Sequence, residues 1–281
     1  MLSKRQIIQG LKSPIKSGLR RWISWSNSGG ILARRYLKDY KVLFPAAGFL
    51  NFYVISEIQP DHDLNYVIQK CIHKDDLIID VGANIGLTVL LFAHQLQNGK
   101  GQIVALEPSA QPRQFLQANC AINELSCVTV IPLGAGETEQ SAVLFSHKSD
   151  GNRSSSLLEE YVVEGAASTE HIELTTLDAM VKNFGIPSFI KIDVEGFEQS
   201  VLNGLTIDEV WKNTIFFIEV RESTFDVILK ILEDKGYAVY FVQSNQLMDI
   251  SKLDKKACFY DHLALIDLLG VPSNKRNLFA V

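Results

Sequence analysis

Long apolar runs are missing from this chain of 281 residues, and no stretch is hydrophobic enough to cross a bilayer as a helix. A continuous signal-peptide core is missing too, because Leu11-Lys12-Ser13-Pro14-Ile15-Lys16 is broken by charge and proline. A cytoplasmic location is the expectation. Cysteine is scarce: Cys71, Cys120, Cys127 and Cys258 stand at no metal-ligand spacing, which argues against a structural zinc site and for free thiols in a reducing compartment. There is no Ser-His-Asp or Cys-His order of the kind that supports covalent catalysis. Acidic residues are nearly missing from the N-terminus. Ten of the 27 lysines and arginines fall within residues 1–50, where Asp39 is the single acid among 32 in the chain, so the remainder is acidic. An acidic body argues against nucleic acid as a partner. The basic start, with Trp22 and Trp25, suits peripheral contact with an anionic membrane through residues 1–41, or a solvated lead-in.

What is present is an ordinary globular composition, 47% hydrophobic and 21% charged. It divides most economically into an N-terminal extension over 1–50 and one large domain over 51–281. The most informative stretch is Asp80-Val81-Gly82-Ala83-Asn84-Ile85-Gly86. It follows the apolar run Leu77-Ile78-Ile79 and leads into Leu87, Leu90 and Leu91 at helical spacing, so it reads as strand, turn and helix. Glycines in such a turn let a backbone approach a nucleotide-like ligand. The dinucleotide fingerprint is incomplete, since Asn84 and Leu87 stand where its second and third glycines belong. Asp80 at the strand end would repel a pyrophosphate and suit a cationic ligand such as S-adenosylmethionine. A second strand, Gln102–Leu106, ends at Glu107, roughly 20 residues after the turn, where a carboxylate can accept hydrogen bonds from both ribose hydroxyls.

Beyond these, apolar and amphipathic runs alternate. Strands are expected at Tyr40–Phe44, Phe49–Ile55, Val128–Leu133, Ala142–Phe145, His171–Leu174, Phe189–Val194, Thr214–Val220, Tyr237–Val242 and near His262–Ile266. Helices are expected over Asp61–Ile72, Leu87–Gln97, Ala110–Ile122 (capped by Ser109), Leu177–Phe184, Phe197–Asn203 and Thr224–Lys235. This is the pattern of an α/β fold, a doubly wound and mostly parallel sheet of Rossmann-like type. The polar run from His147 to Ser156 reads as a loop. In Lys191-Ile192-Asp193-Val194-Glu195-Gly196, two carboxylates leave a strand at its carboxyl end. In extended geometry Asp193 and Glu195 face the same side, and they are candidates to take a proton or to hold a divalent cation such as magnesium.

Taken in order, Asp80–Gly86, Glu107-Pro108, Asn119 and Asn123, Ser155-Ser156-Leu157, Thr175–Asp178, Ile190–Glu198 and Phe217–Val220 resemble the FkbM family of S-adenosylmethionine-dependent methyltransferases. The likeness covers roughly residues 57–243. It implies a class I methyltransferase fold and methylation of a hydroxyl, with a sugar of a glycan or a small polar metabolite as acceptor. The assignment that follows gives S-adenosylmethionine to Asp80, Gly82, Ala83, Asn84, Gly86 and Glu107, and the acceptor chemistry to Asp193, Glu195 and Glu219, with Asp193 and Glu195 as the metal candidates. Similar proteins often carry histidine after the Glu-Val pair, and this chain has Arg221. Two other readings share the fold: a nicotinamide-dependent oxidoreductase, and a catalytically silent binding module.

Overall fold

Short strands with no polar alternation need cover on both faces, and the strands at the centre of this protein have it. Ile78, Ile79, Ile190, Ile192, Phe216 and Ile218 are fully buried. The computed structural model describes residues 31–37, 39–45, 61–147, 155–158, 167–253 and 265–279. In chain order it runs β1 (Ile31–Tyr36), β2 (Tyr40–Pro45), α1 (His62–Cys71), β3 (Leu77–Val81), α2 (Leu87–Gln95), β4 (Gln102–Leu106), α3 (Ala110–Ile122), β5 (Val128–Ile131), β6 (Gly134–Ala135), β7 (Gln140–His147), β8 (Ser155–Ser156) and β9 (Ala167–Thr175). It continues through α4 (Leu177–Phe184), β10 (Phe189–Ile192), α5 (Glu198–Asn203), α6 (Asp208–Asn213), β11 (Ile215–Arg221), α7 (Phe225–Asp234), β12 (Tyr237–Gln243), β13 (Gln246–Asp249) and β14 (Leu265–Pro272). Among the described residues no helix is long and apolar enough to cross a membrane.

The main sheet has eight strands in the order β13-β12-β14-β11-β10-β3-β4-β5. β3, β4, β5, β10 and β11 are mutually parallel, while β14 runs antiparallel between β11 and β12. Strand order therefore reverses beside β3: the chain steps outward to β4 and β5, then returns to the other flank of β3 as β10. In an open α/β sheet such a reversal opens a crevice at the carboxyl ends of the two strands. Apolar clusters cover both faces.

Three features differ from the sequence reading. The strands expected at Ala142–Phe145 and His171–Leu174 are longer, and form a separate sheet of order β6-β9-β7-β8. β7 and β9 pair antiparallel instead of crossing over. The last strand lies at Leu265–Pro272, C-terminal to the expected place, and α6 and β13 were not anticipated. At the N-terminus β2 pairs with β1. The expected partner at Phe49–Ile55, and the basic segment 1–30, lie outside the described residues.

The β1–β2 hairpin packs its apolar side chains against Ile85, Leu90, Phe115 and Ala118, and a buried amide fixes its place. Asn119 Oδ1 accepts from the Leu43 amide at 2.6 Å, and its Nδ2 donates to the Leu43 and Ile85 carbonyls at 3.0 and 2.8 Å. One turn later Asn123 repeats the grip on Lys41, accepting at 2.8 Å and donating at 2.6 Å. The spacing of four residues puts both amides on one face of α3, against the open edge of β2. Because Ile85 sits in the glycine turn, Asn119 ties the hairpin to the ligand loop. Asn119→Ala strands three buried backbone groups, each costing about 1–3 kcal/mol when unpaired. We expect a loss of about 3 kcal/mol or more in urea denaturation; a loss below about 1 kcal/mol would show that water replaces the amide.

Candidate active site

At the reversal point the glycine turn is shaped first by protein contacts. Gly82 has φ +84°, and a β-carbon there would stand 2.0 Å from the Asp193 carbonyl oxygen. Glycine is thus what lets the end of β3 lie against the end of β10. Gly86 has φ +91° and faces Leu116 of α3, whose side chain a β-carbon would meet at 2.6 Å. Ala83 is buried in the apolar cluster under α2. Of the turn residues expected at the ligand, Gly82 and Asn84 line the cavity; Ala83 and Gly86 are not among its lining residues.

The cavity opens over the carboxyl ends of β3, β4 and β10. Its lining includes Gly82, Asn84, Glu107, Asp193 and Glu195, and Leu144, Leu157 and Ile172 from the second sheet and its strap. That second sheet is what encloses the site, and nothing in the spacing of its residues indicated so. Glu107 is buried, with one carboxylate oxygen accepting from the Asn84 amide at 2.8 Å and the other from the Ser109 amide at 2.9 Å. Burial pushes its carboxyl up to about 7, against the pull of those two amides and of Arg113. Ser109 makes no side-chain cap on α3. Glu170 of β9 takes that place, accepting from the Ser109 hydroxyl at 2.8 Å and the Ala110 amide at 2.9 Å.

Asp80 lies in β3 beneath the rim. It is fully buried, neither of its oxygens accepts a hydrogen bond, and it is not among the residues lining the cavity. Its ionic contact is Lys191, 3.8 Å away on the neighbouring strand and in register with it. Burial raises the Asp80 carboxyl to about 6, Lys191 opposing the shift. Lys191 donates to Asp193 Oδ2 at 2.8 Å. Burial works against its charge, but Asp193, Asp80 and Glu219 outweigh that and hold the ammonium charged. Sequence reasoning quoted Lys191 and gave it no task; its signal was a lysine inside the apolar run Phe189-Ile190-Lys191-Ile192.

Asp193, Glu195 and Glu219 come together, with carboxylate oxygens within 4.8 Å of one another. Their route there differs from the expected one. β10 ends at Ile192, and Glu195 adopts a left-handed φ of +54° instead of extended geometry. Two contacts hold it so: Ser156 donates to its carbonyl at 2.8 Å, and Arg221 pairs with its carboxylate. Burial and Asp193 raise the Glu195 carboxyl, while Arg221 lowers it. Glu219 is pushed up to about 9 by burial and by Asp193, Asp267 and Glu195. Asp267, opposite Glu219 on β14, is pushed up to about 8 by burial and by Asp61 and Asp193. Burial and the neighbouring acids thus favour the neutral form of both Glu219 and Asp267. Asp193 lines the cavity with a third of its side chain exposed, more than Glu195. Glu198, buried at the start of α5, accepts from the Gly196 amide at 2.8 Å and braces the turn. The half-buried thiols Cys71 and Cys120 are pushed up to about 12 by burial, which disfavours the reactive thiolate.

The arrangement offers a cavity with the Glu107 carboxylate at one end and the partly exposed Asp193 at the other. Residues 80–239, more than half of the chain, match the methyltransferase FkbM domain. Methyltransferase 1 of Beauveria bassiana is 26% identical over 185 residues, covering 59% of this chain and 73% of that protein. Hexuronic acid methyltransferase AglP of Haloferax volcanii is 25% identical over 192 residues, covering 67% and 74%. A crystal structure of methyltransferase FkbM from Methylobacillus flagellatus superposes with a TM-score of 0.45 at 19% identity, over 71% of this chain and 44% of that one, so the chain spans less than half of it. The family match begins at Asp80 and takes in Glu107, Asp193 and Glu219, and the chain belongs to the FkbM methyltransferase family.

Proposed function

We propose that this protein transfers the methyl group of S-adenosylmethionine to a hydroxyl of a sugar, on a glycan or a small polar metabolite. The observation that carries the reading is Glu107: a buried carboxylate facing a cavity, each oxygen anchored by one backbone amide and keeping lone pairs for a vicinal diol. Asp80 lies beneath the rim beside Lys191 and does not line the cavity, so it acts on a sulfonium or an ammonium there through its field alone. S-adenosylmethionine supplies an electrophilic methyl whose positive charge vanishes on transfer, so the protein gains chiefly by alignment and by excluding water. Leu144, Leu157 and Ile172 provide the dry wall. Asp193 accepts the proton of the acceptor hydroxyl at its carboxylate, with Lys191 fixing the orientation of that carboxylate. Glu195 holds the turn through Arg221, and Glu219, whose neutral form burial and the neighbouring acids favour, stands beside Asp193 in the cluster. The magnesium expected at Asp193 and Glu195 has no step here, because each of these acids is already paired with a side-chain cation.

The glycan acceptor draws support from one relative, whose name describes a hexuronic acid methyltransferase. Incubating the protein with a metabolite and glycan extract and isotope-labelled donor, then searching by mass spectrometry for labelled methyl ethers, tests the reading. Labelled methyl on sugar hydroxyls is the expected result. Label found solely on protein, nucleic acid or carboxyl groups would overturn the acceptor class, and a calorimetric titration without heat of donor binding would overturn the whole.

A further inference from the structure

We infer that Lys191 and Arg221 are positioning residues that occupy the carboxylate cluster in place of a divalent metal, so that methyl transfer at this site needs no added metal ion. The inference rests on the proposed acceptor site, but its deciding measurement is metal affinity, which requires no turnover.

Three carboxylates with oxygens within 4.8 Å have the outline of a cation site. A hard divalent ion needs their lone pairs for itself. Asp193 Oδ2 instead receives the Lys191 ammonium at 2.8 Å, and Glu195 Oε2 is paired with the Arg221 guanidinium. Neither cation is incidental. Lys191 projects from the middle of β10 between two fully buried isoleucines, and its side chain is 7% exposed, so it cannot swing out to solvent to make way. Arg221 closes β11 with its side chain 20% exposed.

A second observation comes from Asp80. It is wholly buried, its oxygens accept no hydrogen bond, and it is directed at Lys191 from the adjacent strand, in register. The ammonium thus bridges acids on β3 and β10. A divalent ion that displaced it from Asp193 would leave Asp80 buried beside a cation drawn away or repelled, a change the packed strands oppose. The function assigned to the two residues is geometric: they keep Asp193 and Glu195 apart and oriented, which a metal would do elsewhere.

The full chain, treated with chelator and dialysed, should bind no Mn(II) at micromolar concentration by electron paramagnetic resonance, and labelled methyl transfer should be insensitive to EDTA. Arg221→Met, and Lys191→Met combined with Asp80→Asn so that no buried charge is stranded, should each gain about tenfold or more in Mn(II) affinity. Adding Asp193→Asn should abolish that gain. Circular dichroism identifies the folded variants; where the double variant does not fold, Arg221→Met decides. Wild-type binding of Mn(II) at micromolar concentration, restoration of EDTA-lost activity by magnesium, or folded variants with no gained affinity would each overturn the inference. Failure to bind the methyl donor would refute the proposed function and leave the metal result readable.

Discussion

Asp193→Asn is expected to lower kcat by about 10²–10⁴-fold, the range typical of removing a general base, and to change donor affinity by no more than a few-fold. The two parts of the prediction come from different geometry. A sugar hydroxyl is far too weakly acidic to be ionised at neutral pH, so its proton must leave as the carbon–oxygen bond forms. Asp193 is placed for this: it lines the cavity, its side chain is a third exposed, and Lys191 holds one of its oxygens. Asparagine is nearly the same shape and keeps the backbone carbonyl against which Gly82 is packed. It cannot take a proton. Asn84 and Glu107, the proposed donor-binding residues, are anchored to one another and to Ser109, independently of the Asp193 carboxylate. Single-turnover rates with labelled donor, alongside calorimetric donor affinity, separate the two. A variant that turns over at the wild-type rate would remove Asp193 from the chemistry, and the rate of Glu195→Gln would then show where the proton goes.

Much of this site was legible because its chemistry is written in short contiguous pieces. β3, β4, α3 and α4 fall where apolar periodicity puts them, since each is a local pattern enclosed by turn residues. Glu107 and Asp193 were visible as charges ending buried strands, a costly placement without a task. The second sheet was not legible. β7 and β9 are separated by a long polar stretch, and nothing in their alternation distinguishes a parallel crossover from an antiparallel return. Nor did spacing disclose that Gly82 yields to the Asp193 backbone, or that Glu195 turns left-handed, because both depend on strands that meet only in three dimensions. The pairing of Lys191 with Asp80 is of the same kind: it follows from the register of β10 on β3, and register is a tertiary fact.

Glu107→Ala should weaken S-adenosylmethionine binding by about 100-fold, the loss expected for two hydrogen bonds to a charged acceptor, while kcat at saturating donor falls far less. On the proposed reading the side chain meets the ribose and stands apart from the reacting methyl, so its contribution is made equally in ground and transition states. The pH dependence gives an independent check. In the free protein burial holds the Glu107 carboxyl at about 7, above the ordinary range. That raised value means the folded state holds its proton more tightly than the unfolded chain, so Glu107 costs stability as pH rises toward 7. A diol that donates hydrogen bonds favours the ionised form, so donor binding expels the proton below about pH 7. Affinity should therefore tighten as pH rises from acid toward neutrality and level off above. Asp80, at about 6, adds a smaller change of the same sign. In Glu107→Ala the part of the slope nearest neutrality should disappear and the lower part persist. Calorimetry in buffers of different ionisation enthalpy counts the released protons directly. Wild-type affinity that is flat between pH 5.5 and 7, or a Glu107→Ala variant that still releases its full complement, would mean that this carboxylate does not meet the ribose.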